Sequence, residues 1–251
     1  MILKKIAEAF RRQDWFTVSL EVLIVMIGIF LGLQVNAWNQ SRVDRAEEAA
    51  FLEALYQDVL VLEKNSNRLI EARIKALNTI EAASNVLFGK VEWRDLTDDE
   101  CDAISTSHSP GIIATSLPSW TALRDAGRTN IVRNAEVRRS LATLTQRREA
   151  LDRIMAVAEA QGYNLLYLHS DLFESQPYKT TLIEAPERVH FETKSTCNAE
   201  ALSRNQAAMN GLASNMNRFS AVTNRFGIVP WAEQITKLRI ILEADAQKLA
   251  N

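Results

Sequence analysis

An uninterrupted apolar run near the N-terminus constrains this chain more than any other feature. Residues 22–33 (VLIVMIGIFLGL) contain no polar side chain, and apolar residues alternate with polar ones on both sides. Trp15 and Trp38 flank the segment 23 residues apart, a separation of about 34 Å along a helix. Indole rings favour the lipid head-group level, and a helix of this length crosses a bilayer once. We therefore predict a single transmembrane helix over residues 15–39.

The charges on the two sides of this segment predict its orientation. The flanking cations are Lys4, Lys5, Arg11 and Arg12 on one side and Arg42 and Arg45, among several carboxylates, on the other. The positive-inside rule then makes residues 1–14 a short basic cytoplasmic tail, residues 15–39 a signal anchor and residues 40–251 an exported domain. The alternative is a cleaved signal peptide, although bulky Trp38 makes a poor cleavage site. Both interpretations export the body of the chain.

One side of the predicted span carries a carboxylate and two glycines. At 100° per residue, Glu21, Gly28, Gly32 and Asn36 share one side, which we call the glycine face. Two glycines four residues apart allow a second helix to approach closely, and polar groups beside them can hydrogen-bond across the contact. The alternative is that Glu21 reaches the head groups and that the glycine spacing is accidental. A second copy and another membrane protein are both possible partners.

The rest of the chain has the composition of long helices. Only 8 glycines and 5 prolines occur in 251 residues, too few for the turns of a β-sandwich or barrel. Apolar spacing predicts a mainly α fold, in which an antiparallel bundle of long helices follows the transmembrane helix, with a short hairpin at most. The first predicted helix continues the span, or restarts after a short break, and ends near Gly89. The others cover about 97–104, 120–126, 134–172 (with Gly162 as the one breaker), 199–225 and 230–249, and the hairpin pairs 181–184 with 188–192.

Charge is distributed unevenly along this body. Residues 40–100 hold 8 basic and 13 acidic side chains, whereas residues 124–153 hold eight arginines and four acids. Arg124, Arg128 and Arg133 are therefore candidate ligands for an anion, since guanidinium groups suit carboxylate or phosphate. The alternative is that this arginine-rich segment lies against the acidic first helix. The net charge of −2 disfavours nucleic acid as a partner.

Two cysteines, Cys101 and Cys197, lie 96 residues apart beside predicted loops. In an oxidising exported compartment a single pair favours a disulfide. The alternative is a pair of free buried thiols in a cytoplasmic domain.

No motif for catalysis or for a cofactor is recognisable. The chain lacks the common nucleophile, zinc, phosphate-loop and dinucleotide patterns. His108, His169 and His190 are isolated in the sequence, and the acidic run from Asp98 to Asp102 lacks the spacing of a calcium loop. We predict no enzyme, no metal site and no cofactor. An envelope enzyme that uses His169 or His190 is the weakest alternative.

Two blocks resemble a family of uncharacterised bacterial single-pass membrane proteins. Residues 21–58 contain the apolar core VLIVMIGIFLGLQVNAW and a following charged helix, and residues 118–141 (PSWTALRDAGRTNIVRNAEVRRSL) are similar to the family's second block. The resemblance implies a helical domain anchored in the inner membrane of a bacterium. It implies no assigned reaction or partner.

These observations support two hypotheses about function. The first is a non-enzymatic, membrane-anchored scaffold that associates through its transmembrane face and presents a helical bundle outside the cytoplasm. The second is an envelope bundle that senses an anion through Arg124, Arg128 and Arg133 and signals through a partner.

Overall fold

The computed structural model describes residues 15–109, 111, 113, 115–182 and 185–250, so the predicted basic tail over residues 1–14 lies outside it. The α-helices are α1 (Trp15–Leu87), α2 (Asp98–Thr106), α3 (Pro118–Asp125), α4 (Ala135–Gln161), α5 (Leu165–Leu168), α6 (Ala199–Arg204), α7 (Gln206–Ser220) and α8 (Ile228–Ala250). A 3-10 turn (Thr129–Ile131), a π-helical turn (Ala221–Arg225) and the strands β1 (Phe173–Leu182) and β2 (Ala185–Cys197) complete the described elements. The mainly α fold predicted from the sequence is confirmed.

Helix α1 runs without a break through 73 residues. The sequence explains its length, because no proline occurs within it and no glycine lies between Gly32 and Gly89. Gly89 takes a left-handed conformation with φ of 66°, which glycine adopts without steric cost. The predicted transmembrane segment and the first bundle helix therefore form one continuous helix.

A first hydrophobic core lies where α1, α4 and α8 pack together. Helix α8 runs antiparallel to α1, since Thr236 bonds Glu63 and, further along α8, Glu243 bonds Tyr56. It also runs antiparallel to α4, since Gln234 bonds Ser140 and, further along α8, Asp245 bonds Asn134. The buried residues include Leu55 and Val59 from α1, Leu141 and Leu144 from α4, and Trp231, Ile235 and Leu238 from α8. Asp58 of α1 accepts a hydrogen bond from the backbone N–H of Ser119 at 2.8 Å, which satisfies the N-terminus of α3 where Leu117 offers no side-chain cap.

A second core lies further along α1. It contains Ile80, Ala83 and Leu87 of α1 together with Ile104, Leu165, Leu172, Phe173, Leu202, Met209 and Leu212. These residues come from α2, α5, the base of the hairpin, α6 and α7. One helix thus forms one side of two successive cores.

Several helix boundaries differ from the sequence prediction. Helix α4 ends at Gln161, and Asn164 caps the short helix α5. A side chain at Gly162 would come within 2.7 Å of the carbonyl oxygen of His108, so tertiary packing requires glycine there. Leu168 lies in this separate short helix and is 60% exposed. The third long helix is likewise divided at Asn205, whose side chain accepts a hydrogen bond from the backbone N–H of Ala208.

The hairpin is longer than the predicted segments. Strands β1 and β2 pair antiparallel, with Phe173 opposite Cys197 and Thr181 opposite Val189. The backbone N–H of Asn198 donates to the carbonyl of Leu172, which continues this ladder at the base. Pro177 is tolerated in β1 because a two-stranded hairpin leaves alternate N–H groups unpaired.

The first core should depend on single leucines of α1. Replacing fully buried Leu55 with alanine should lower the free energy of unfolding by about 3 kcal/mol, because it opens a cavity between three helices. Val61 of the same helix is 60% exposed, so Val61→Ala should change stability by less than about 0.5 kcal/mol. Denaturation of the full chain in detergent, followed by tryptophan fluorescence, measures both. Equal effects would contradict the packing.

Candidate functional site

Residues 19–38 of α1 lie apart from the bundle. From Ser19 to Trp38 every side chain is exposed, and several large apolar groups are more than half exposed. The most apolar window of α1 has a mean hydropathy of 2.0, and none of it is buried within the chain. Among the described residues, α1 is the one helix long and apolar enough to cross a membrane.

The glycine face is open on this segment. A side chain added at Gly28 or Gly32 would meet nothing within 4 Å, so the chain's own packing does not require glycine at either position. Glu21 and Asn36 are exposed on the same side of the helix. The geometry permits a second helix to approach this face closely.

The bundle packs on the side of α1 opposite the glycine face. Gly28 and buried Leu55 are 27 residues apart, which is about seven and a half helical turns, so they point in opposite directions. The bundle therefore leaves the side of α1 that carries the glycine face uncovered.

The three candidate anion ligands are engaged by carboxylates. Arg128 forms an ion pair with Glu47 of α1, and Arg133 lies beside Glu48, with 3.5 Å between Nε and Oε2. Arg124 contacts its neighbour Asp125 at 3.4 Å. The arginine-rich segment thus lies against the acidic first helix at two points, and the structure does not bring the three guanidinium groups together on one cavity.

The two cysteines lie at disulfide distance. The Cα atoms of Cys101 and Cys197 are 5.4 Å apart and the Sγ atoms 2.02 Å apart. This pair joins α2 to the base of the hairpin. Around it, Ser105 donates a hydrogen bond to the Ser195 hydroxyl at 3.0 Å, and the Ser195 N–H donates to Asp102 at 3.0 Å. We call this cluster the distal clamp (Cys101, Cys197, Ser105, Ser195 and Asp102).

The acidic run at the start of α2 has a structural explanation. Thr97 and Glu100 form a reciprocal capping box at the start of α2. Arg94 donates to both carboxylate oxygens of Glu100, at 2.6 and 2.8 Å, and with the Thr97 N–H it lowers the pKa of Glu100 to about 2. Burial instead raises the pKa of Asp102.

The histidines do not assemble into a site in the described part of the chain. The Nδ1 atom of His108 lies 3.0 Å from the carbonyl oxygen of Ser105, and His169 ends α5. The side chain of His190 falls outside the described residues. No group of three metal-ligating side chains occurs among the residues that could be searched.

Sequence reasoning missed a buried arginine between the two cores. Arg73 of α1 is only 5% exposed; its Nε donates to the hydroxyl of Thr223 at 2.8 Å, and its guanidinium lies 3.7 Å from the centre of the Phe219 ring. Burial lowers its pKa to about 10, so it remains charged at neutral pH. Arg73 precedes inward-facing Ile80 by seven residues, a helical spacing from which its inward position could have been predicted. Arg73 links α1 to the π-helical turn that leads into α8.

The Arg94–Glu100 pair should make stability depend on pH. The pKa of Glu100 is depressed from an ordinary 4.5 to about 2, so its stabilisation is complete above about pH 5 and is lost as the pH falls towards 2. Arg94→Gln should therefore lower the free energy of unfolding more at pH 7 than at pH 3, as measured by urea denaturation. Arg204→Gln removes an exposed pair with Glu200 and should have a small effect at both values. An equal loss for Arg94→Gln at both pH values would contradict this assignment.

Comparison with known protein families, with curated proteins and with solved structures finds no match to this chain. The resemblance of residues 21–58 and 118–141 to a membrane-protein family stays a prediction. The conclusions about function therefore depend on the geometry of α1, the bundle and the groups between them.

Proposed function

We propose that this protein is a non-enzymatic interaction module held in a membrane by α1. One observation carries the proposal: a single unbroken helix has an apolar segment that its own chain leaves exposed and then forms one side of two buried cores. Water disfavours such an exposed apolar rod, whereas a bilayer accommodates it because a helix satisfies its own backbone hydrogen bonds. The rod holds the bundle at a fixed distance from the membrane.

The membrane we propose is the inner membrane of a bacterium, with the N-terminus in the cytoplasm and the bundle outside it. The excess of cations before Trp15 supports this orientation. The proximity of Cys101 to Cys197 also supports it, since a disulfide persists in an oxidising compartment.

The partner in the membrane is a second helix, which packs on the glycine face. Support comes from the open space at Gly28 and Gly32 and from the position of the bundle, half a turn away around α1. A helix that packs there can continue along α1 without meeting the bundle. A second copy of this chain fits the arrangement, as does another single-pass protein.

Crosslinking within the membrane tests this contact. A photo-crosslinking amino acid at Val25, on the same side as Gly28, should give a product of defined mass in intact membranes. Gly28→Leu combined with Gly32→Leu should abolish the product, because the added side chains keep the helices apart. The chain itself tolerates both changes, since nothing lies within 4 Å of either position.

The matched control changes two residues on the other side of α1. Met26 and Phe30 are 63% and 61% exposed, and Met26→Leu with Phe30→Leu should leave the product unchanged. An undiminished product in the double glycine variant would overturn the contact. The mass of the product distinguishes a second copy from a different protein.

Cysteine labelling in spheroplasts tests the orientation. A membrane-impermeant maleimide should label Glu149→Cys, at an exposed site of α4, in intact spheroplasts, and should label Ala7→Cys only after lysis. The unaltered chain should react only after denaturation and reduction, because both of its thiols are then released from the disulfide. The reverse pattern for the two introduced cysteines, or reaction of the denatured native chain without reductant, would contradict the proposal.

A further inference from the structure

We propose that the basic turn (residues 126–134) rests on the head groups of anionic phospholipids and gives the bundle a second contact with the bilayer. The inference depends on the proposed function, because it requires α1 to span the membrane up to Trp38. Its new element is a lipid-binding surface on the bundle itself. The evidence is the height of this turn above the membrane, its free hydrogen-bond donors and its charge.

The basic turn folds back along α1 towards the membrane. Arg133 donates from Nη2 to the carbonyl oxygen of Ser41 at 3.5 Å, and its Nε lies 3.5 Å from Glu48. Ser41 is three residues beyond Trp38, a rise of about 4.5 Å, and Glu48 is about 15 Å beyond it. With Trp38 at the head-group level, the Arg133 guanidinium lies within roughly one Debye length, about 8–10 Å, of the lipid phosphates.

The arginines of the basic turn retain capacity for a further ligand. The side chains of Arg128 and Arg133 are 46% and 45% exposed despite their ion pairs with Glu47 and Glu48. A guanidinium group has five N–H donors, and these pairs use only some of them. The fork geometry of the remaining donors suits two oxygens of one phosphate.

The surrounding charge also favours an anionic surface. Residues 40–48 and 126–139 together contain six arginines and four carboxylates. Arg138 donates to the carbonyl oxygen of Arg133 at 2.8 Å, so its guanidinium also lies at the turn. Arg42 stacks over the Trp38 ring, with 5.3 Å between Cζ and the ring centre, which places a further cation at the same level.

The bilayer is favoured over a protein partner because it is always present at this height. Every anchored molecule holds its basic turn at the same short distance from the lipid surface, so binding is effectively intramolecular. Attraction to an anionic leaflet acts only within a Debye length, which the turn satisfies by folding back to Ser41. A contact there, together with α1, fixes the tilt of the bundle.

Amide hydrogen exchange of the full chain in lipid nanodiscs tests the inference. We compare discs of phosphatidylcholine alone with discs that contain 30% phosphatidylglycerol. Exchange over residues 126–134 should be slower in the anionic discs by about fivefold, the factor expected for one basic side chain held near an anionic surface, and 0.5 M salt should remove the difference.

Three variants separate lipid binding from the internal ion pairs. Arg128→Gln with Arg133→Gln should remove the lipid dependence. Glu47→Gln with Glu48→Gln removes the internal charges but leaves the arginines, so the lipid dependence should persist or increase. The matched control, Arg147→Gln with Arg153→Gln, changes two exposed arginines further along α4 and should keep the full difference.

The outcomes distinguish this inference from the proposed function. A chain that does not remain with the discs on flotation contradicts the membrane span itself. A chain that remains with them but exchanges equally in both lipids overturns the basic turn as a lipid-binding surface and leaves the span intact. Protection that appears only when a copurifying protein is added overturns it as well, in favour of a protein contact.

Discussion

The continuity of α1 is the constraint on which the rest of the structure depends. A helix meets the hydrogen-bonding needs of its backbone internally, so the same segment can pass from lipid to water without a change of conformation. Because α1 has no proline and no internal break, the direction in which its apolar segment presents each side chain is set relative to the buried residues of the bundle. The glycine face and the first core therefore keep a fixed angular relation, on opposite sides of one rod.

The remaining elements are aligned on this rod by polar contacts from its surface. Asp58 caps the N-terminus of α3, Glu47 and Glu48 hold the basic turn, and Glu63 bonds Thr236 and Arg239 of α8. These contacts occur at successive levels along α1. They set the register of each partner, whereas the apolar side chains between them supply most of the stabilisation.

Arg73 joins the two halves of the bundle, and the distal clamp holds the hairpin to the second core. Arg73 passes between the cores and reaches the π-helical turn, where its guanidinium lies over Phe219 and its Nε bonds Thr223. The distal clamp ties α2 to the hairpin, in which residues 176–178 and 191–194 are exposed on both faces. A two-stranded hairpin is marginal by itself, so its base requires the buried hydrogen bonds and the disulfide-distance cysteines that surround it.

The sequence by itself determined the elements whose cause is local. The apolar segment, the end of α1 near Gly89, the start of α2 at Thr97 and the start of α4 at Asn134 each follow from residues adjacent in the chain, because propensity and capping act over a few positions. The sequence also named the arginine-rich segment and the acidic helix as possible neighbours, without assigning the pairs. Only the tertiary structure decided that Arg128 and Arg133 lie beside Glu47 and Glu48 and that Arg73 is buried. Each of these depends on atoms far apart in sequence, and their separation is decided by how the helices pack around α1.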